Sequence, residues 1–190
     1  MNTALKYKDT MFAKTMMAAA VTLLMSQAAM AQQLIDSVSV DYGTASKQRM
    51  VRLSAANDWD KKWFQSNGTH LSGYWEGSVG YWRQNQYRNV PGWEKGLWDV
   101  GFTPVFRFQN DNKKGIYYEA GVGVHLLSSL YRNDGKELST AFQFGDHIGI
   151  GYVMQNNWEI GLKLQHFSNA SIKSPNGGAN FLELKAAYHF

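Results

Sequence analysis

Apolar and polar residues alternate at every second position along most of the chain. In one segment Trp98, Val100 and Phe102 share one face, while Asp99 and Thr103 share the other. Because successive side chains of a β-strand point to opposite faces, a period of two predicts strands. The eight segments with this pattern cover residues 35–42, 47–56, 70–82, 97–109, 116–127, 140–153, 158–169 and 179–190.

The lengths and inner faces of these strands favour a membrane barrel over a soluble sandwich, which also alternates. A tilted strand needs about 9–11 residues to cross a bilayer. Glycine and polar side chains occupy the nominal inner face, as the narrow interior of an eight-stranded barrel requires. The last strand ends on Phe190, which resembles the C-terminal signature of Gram-negative outer-membrane proteins. We therefore expect an all-β fold, an eight-stranded antiparallel transmembrane β-barrel.

Residues 1–31 differ from the rest and are predicted to be a secretory signal peptide. Three lysines precede a short apolar stretch at 16–25, and Ala29-Met30-Ala31 offers a small-residue cleavage site. Residues 32–190 would then form the barrel domain. The apolar stretch is too short for a spanning helix.

The links between strands predict the topology. With both termini in the periplasm, short links become periplasmic turns and long links become extracellular loops. The link at 57–69 is long for a periplasmic turn and contains Trp59 and Trp63. It is expected to hold an interfacial helical turn.

Composition excludes several classes of site. The 190 residues include no cysteine and carry a formal net charge of +4. The lack of cysteine excludes a disulfide scaffold and a thiolate metal site, and no His-Glu-x-x-His spacing for zinc occurs. Part of the positive charge belongs to the predicted signal peptide. Neither a metal site nor a nucleic-acid partner is therefore expected.

Two polar residues continue the lipid-facing pattern of the seventh strand. His166 and Ser168 share the parity of Leu162 and Leu164, although polar groups facing hydrocarbon are costly. Residues at i and i+2 of a strand lie about 7 Å apart, which suits a hydroxyl activated by an imidazole base. From this spacing alone, two solvated residues above the membrane remain the simpler interpretation.

The sequence around this pair changes that balance. From His166 to Gly178 it reads HFSNASIKSPNGG and is followed by the terminal strand, which closely resembles the end of the PagL family of lipid A 3-O-deacylases. The resemblance is specific over about residues 160–190 and looser elsewhere. It implies an outer-membrane esterase that needs no cofactor and hydrolyses the acyl chain at position 3 of lipid A. Ser168 would be the nucleophile and His166 the general base.

The third catalytic residue departs from the family pattern, because Asn180 occupies the position of a glutamate fourteen residues after the histidine. If Asn169 pairs with Ala179, Asn180 faces Ser168 and lies diagonal to His166, where its amide oxygen would orient the ring. We rank Asn180 first among the candidate orienting residues.

Two carboxylates are further candidates for that position. Asp146 ranks second, because pairing Met154 with Asn157 makes it a neighbour of His166 and its parity faces lipid, unless a bulge turns it inward. Glu183 ranks third, because its parity faces the lumen. Asn169 or nearby backbone N–H groups would form the oxyanion hole, or Asn169 opens the loop as an Asx-turn.

The resemblance also implies partners and a location. Lipid A or lipopolysaccharide is the expected substrate, at the outer leaflet of the outer membrane, and a homodimer is left open. Four basic residues are candidates for holding lipid A phosphates, or are solvated loop charges: Arg83, Arg88, Lys95 and Lys173. The alternative function is a non-catalytic eight-stranded barrel for adhesion or membrane integrity, which the missing glutamate favours. A lipid A acyltransferase is a second enzymatic alternative.

Overall fold

The computed structural model describes residues 34–190, so the predicted signal peptide at 1–31 lies outside the described residues. The strands in chain order are β1 (Ser37–Ala45), β2 (Gln48–Asp58), β3 (Trp63–Ser66), β4 (Thr69–Gln84), β5 (Lys95–Asn110), β6 (Gly115–Leu127), β7 (Arg132–Asn133), β8 (Lys136–Glu137), β9 (Phe142–Val153), β10 (Trp158–Ser168) and β11 (Ala179–His189). Within this part of the chain, no helix has the length and apolarity to cross a membrane.

Eight of these strands form a closed antiparallel barrel. Going around the wall, their order is β1, β2, β4, β5, β6, β9, β10 and β11, and β11 pairs with β1 to close it. Closure pairs each of these eight strands with a neighbour on both sides, which is what a strand-built protein needs in lipid. The predicted eight-stranded antiparallel barrel is confirmed, with strand bounds that shift by a few residues.

The outer wall is apolar and the interior is charged. Leu164 on the outside is 57% exposed, whereas the buried Arg107 lies 2.7 Å from Glu119 and 2.8 Å from Glu159 inside the barrel. Buried charges are tolerated when they are paired and hydrogen-bonded. Apolar side chains outside and polar side chains inside are the arrangement found in membrane-spanning barrels.

The link between β2 and β4 contains a strand, so the predicted helical turn is wrong. Strand β5 pairs with β4 along the whole of β4. Strand β3, which pairs with Leu71 and Thr69, therefore occupies the same edge of β4 as β2 does. It continues the line of β2 after a break at 59–62. There Trp59 N donates to Gly73 O at 3.0 Å, and the indole covers Gly73 so closely that a Cβ on this glycine would overlap the ring. This pairing depends on a distant strand, which the local pattern could not reveal.

Long loops cover the end of the barrel opposite Ser37 and His189, which is the extracellular side in outer-membrane barrels. Beneath them lies an apolar cluster that includes Trp82, Tyr131, Leu138, Phe167 and Phe181. Isolated β-bridges join the loops above it. The loop end of the barrel is thus a packed layer, against which the ends of β10 and β11 rest.

Candidate active site

His166 and Ser168 lie on the outer face at the extracellular end of β10. Between them, Phe167 is fully buried and points inward, with its ring centroid 4.6 Å from that of Trp82 and 5.0 Å from that of His125. Because strand side chains alternate, burial of Phe167 directs both neighbours outward, and both are half-buried. This is the face that their parity predicted.

Asn180 stands directly across from His166 on β11, with Oδ1 2.5 Å from Nδ1. The expected register was wrong by two residues, because Phe167 pairs with Ala179 and Asn180 does not face Ser168. Phe167 and Ala179 both belong to the buried apolar cluster, which sets this pairing. When Oδ1 accepts the Nδ1 proton, Nε2 keeps a lone pair that can accept the proton of a hydroxyl.

Asp146 lies across from His166 on the other side, on β9. It is exposed on the outer face, and the pairing of β9 with β10 is regular from Val153 to Phe144, so no bulge turns it inward. The expected register placed residue 145 opposite His166 and was wrong by one. Within residues 34–190, the hydrogen-bond partner of the imidazole is Asn180. His166 is therefore flanked by an amide and a carboxylate from two different strands.

Glu183 is not the residue that orients His166, because it lies on the other side of the barrel wall. Its side chain is fully buried inside, where Oε2 lies 3.4 Å from Arg52 Nη1 and 3.4 Å from Lys163 Nζ. A carboxylate committed to two interior cations cannot reach a ring on the outer face. The lumen parity of Glu183 indicated this position.

Asn169 holds the following loop together. Its Nδ2 donates to Ser139 Oγ at 3.2 Å and to Lys173 O at 2.8 Å, and its backbone N–H donates to Asn176 Oδ1 at 2.9 Å. With these donors in use, Asn169 secures the loop and does not serve as an oxyanion donor in this conformation. Within residues 34–190 its Oδ1 is buried without a hydrogen-bond partner, so the expected Asx-turn does not form either. The next two residues, Ala170 and Ser171, have positive φ angles of 50° and 63° and begin the exposed turn that follows Ser168 and Asn169.

Gly178 is a supporting residue that the sequence did not single out. Its φ is +66°, and a Cβ at this position would lie 2.8 Å from His166 Cε1. The backbone thus approaches the imidazole more closely than any side chain would permit. The Gly177-Gly178 pair in the last loop was the available signal.

A hollow of about 680 Å³ on the outer wall begins at His166, Asp146 and Asn180. Towards the membrane centre it is lined by apolar side chains, including Ile148 and Leu164. A second hollow of about 460 Å³ continues along the same two strands. An acyl chain lying against this wall would bring its ester to the imidazole end.

Comparisons with known proteins agree on one family. The family model "Lipid A 3-O-deacylase (PagL)" matches residues 49–189. The lipid A deacylase PagL of Bordetella bronchiseptica is 36% identical over 173 residues, covering 90% of this chain and 93% of the relative. That of Pseudomonas aeruginosa is 32% identical over 168 residues, covering 87% and 92%.

Solved structures agree on the fold. The crystal structure of the outer membrane enzyme PagL aligns with a TM-score of 0.69 at 29% identity, covering 81% of this chain and 99% of that one. Neisserial surface protein A aligns with a TM-score of 0.52 at 12% identity, covering 81% and 94%. The second similarity concerns the fold alone.

Proposed function

This chain belongs to the PagL family of lipid A 3-O-deacylases, and from that premise we propose that Ser168, His166 and Asn180 hydrolyse the ester on the lipid-facing wall of its barrel. The protein is an outer-membrane hydrolase that removes the 3-O-linked acyl chain of lipid A. Family membership favours this enzyme over the non-catalytic barrel. The observation that carries the proposed site is the His166–Asn180 contact beside Ser168, at the head of an apolar hollow.

In the first step, Ser168 Oγ attacks the acyl carbonyl while His166 Nε2 takes its proton. The amides of Ala170 and Ser171 are the donors proposed for the resulting oxyanion. His166 then gives the proton to the sugar oxygen as the ester C–O bond breaks, which leaves the acyl group on Ser168. A water, deprotonated by His166, releases the fatty acid and restores the serine.

Asn180 and Asp146 have different roles beside the imidazole in this mechanism. Asn180 fixes the tautomer, but as a neutral amide it adds no negative charge for the imidazolium. Directly paired residues have Cβ atoms about 4.5–5.5 Å apart, so the carboxylate of Asp146 is near enough to supply that charge. Asn180 is therefore the orienting residue and Asp146 the electrostatic support.

Export and assembly complete the proposal. We propose that residues 1–31 are the signal peptide that directs the chain across the inner membrane and is then removed, leaving 32–190. All residues of the proposed site come from one barrel, so the mechanism does not require the homodimer that the sequence left open.

The test compares wild-type protein with Ser168→Ala on purified lipopolysaccharide, followed by mass measurement of lipid A. We expect wild type to remove one 3-hydroxyacyl group and Ser168→Ala to be slower by about 10⁴-fold or more. Ser66→Ala, which alters an exposed serine at the opposite end of the barrel, should match wild type. Full activity in Ser168→Ala would refute the site. No mass change with wild type would instead support the non-catalytic barrel, and a mass gain an acyltransferase.

A further inference from the structure

Three extracellular loops line a cavity of about 320 Å³ that is open to solvent at the loop end of the barrel. The β4–β5 loop contributes Arg88, the β6–β9 loop contributes Tyr131, Arg132 and Glu137, and the β10–β11 loop contributes Lys173. The last of these is the loop that begins directly after Ser168.

Backbone hydrogen bonds between the loops hold the cavity walls. Arg88 N donates to Arg132 O at 3.1 Å, which joins the first loop to the second. Ser139 N donates to Pro175 O at 3.1 Å, and Gly177 N donates to Glu137 O at 2.8 Å, which join the second loop to the third. A cavity whose walls are already ordered loses little entropy when it binds a ligand.

The charges of the lining favour an anion. Arg132 is paired with Glu137 at 2.5 Å, whereas within residues 34–190 neither Arg88 nor Lys173 has a carboxylate within the 4.0 Å of an ion pair. Burial raises the pKa of Tyr131 to about 12, so its hydroxyl stays protonated, and Glu137 is the carboxylate that the lining contributes. The guanidinium of Arg88 rests over two aromatic rings, 5.4 and 5.9 Å from their centroids, which limits the directions it can take.

Asn169 connects this cavity to the proposed nucleophile. Its Nδ2 donates to Ser139 Oγ and Lys173 O, and both of those residues line the cavity. The cavity therefore lies one hydrogen-bonded residue from Ser168, on the side opposite the apolar hollow. A ligand that spans both spaces needs an anionic head, an acyl chain and an ester between them.

We infer that this loop cavity is a phosphate-binding subsite, in which Arg88 and Lys173 hold a phosphate group of the lipid A head group while the ester reaches Ser168. Lipid A carries a phosphate on the same glucosamine ring as its 3-O-ester, so the two groups can be held together. Guanidinium and ammonium groups are the usual protein partners of phosphate. Arg83, by contrast, is paired with Glu94 at 2.5 Å, so it is not part of this subsite. The inference rests on the proposed function and names how that site selects its substrate.

The experiment measures kcat and KM for two substrates, lipid A with its phosphates and the same lipid A without them. We expect Arg88→Gln/Lys173→Gln to raise KM for the phosphorylated lipid by about 10–100-fold, with little change in kcat. For the wild-type protein, KM should be higher by a similar factor for the dephosphorylated lipid than for the phosphorylated one. For the double variant, KM for the dephosphorylated lipid should rise no further. Removing the phosphate and removing the two basic residues abolish the same contact.

The control is Lys47→Gln/Lys136→Gln, which removes the same charge from exposed residues of the loop end that do not line the cavity. An equal rise in KM with this control would overturn the inference, because general surface charge would then explain it. The inference would also be overturned if removal of the phosphates raised KM by the same factor in wild type and in the Arg88→Gln/Lys173→Gln variant. If inorganic phosphate speeds hydrolysis of the dephosphorylated lipid only when Arg88 and Lys173 are present, free phosphate is the ligand and the head-group assignment is wrong. Failure of wild type on both lipids would contradict the proposed function instead.

Discussion

At the scale of single residues, the chemical question of this site is how an amide, Asn180, serves at the position where the family resemblance implies a glutamate. Asn180 Oδ1 contacts His166 Nδ1, so the orientation of the ring does not need a carboxylate. Stabilising the imidazolium does need nearby negative charge or a strong dipole. Asp146, exposed on the opposite neighbouring strand, is the residue that can restore what Asn180 lacks.

This division predicts unequal effects of two alanine variants. Asn180→Ala frees the ring and should lower kcat by about 10²–10⁴-fold, as loss of an orienting residue does elsewhere. Asp146→Ala removes a partly solvated charge without a hydrogen bond to the ring, and should cost roughly 10-fold. The measurement is fatty-acid release from lipid A. An inactive Asp146→Ala beside an active Asn180→Ala would reverse the ranking.

At the scale of elements, the β10–β11 hairpin and its loop hold the proposed site from three directions. Phe167 anchors β10 inside the barrel, and Asn169 secures the start of the loop. Gly178 brings the end of the loop against the imidazole. The inner face of the hairpin therefore packs in the barrel and holds it in place, while its outer face carries the proposed catalytic residues.

Gly178→Ala tests this support against a matched control. The new methyl group would lie 2.8 Å from His166 Cε1, so the ring must shift, which disturbs its contact with Asn180. We expect kcat to fall by about 10²-fold, the cost typical of a displacement near 1 Å, with a smaller change in KM.

Gly135→Ala is the control, because Gly135 also has a positive φ (+75°) but has no atom within 4 Å of an added Cβ. It should lose similar thermal stability while keeping its activity. If both variants lose the same activity, backbone strain explains the effect and contact with His166 does not.

At the scale of the whole molecule, the barrel interior is held by ion pairs far from the proposed chemistry. The carboxylate of Glu159 lies 2.8 Å from Arg107, 2.9 Å from Lys185 and 2.7 Å from His189. It lies nine residues before Ser168 on β10, about 30 Å along the strand. One buried anion thus pairs with two cations, Arg107 and Lys185, and contacts the ring of His189 at the periplasmic end.

Glu159→Gln should destabilise the barrel without affecting catalysis by the folded protein. Leaving buried cations without their partner costs about 3–5 kcal/mol of unfolding free energy, which urea unfolding in detergent can measure by tryptophan fluorescence. Glu94→Gln breaks an exposed pair with Arg83 and should change stability little. A Glu159→Gln protein as stable as wild type would show that the network contributes little.

The sequence by itself determined the eight strands of the barrel wall, the membrane-facing parity and the outward projection of His166 and Ser168, but not β3, β7 or β8. These features follow from a period of two, which each strand carries locally. The lumen position of Glu183 follows from the same rule, and the resemblance around His166 indicated the family.

Only the tertiary structure decided which residues face one another. Register depends on packing between segments distant in the chain, such as Phe167 and Ala179 in the apolar cluster beneath the loops. That packing brought Asn180 and Asp146 to opposite sides of His166, turned Asn169 into the loop and made β3 continue the line of β2. If one strand shifts by one or two residues against the next, each strand keeps its own alternating pattern, but every residue gains a new partner across the pair. Local periodicity therefore could not decide these contacts.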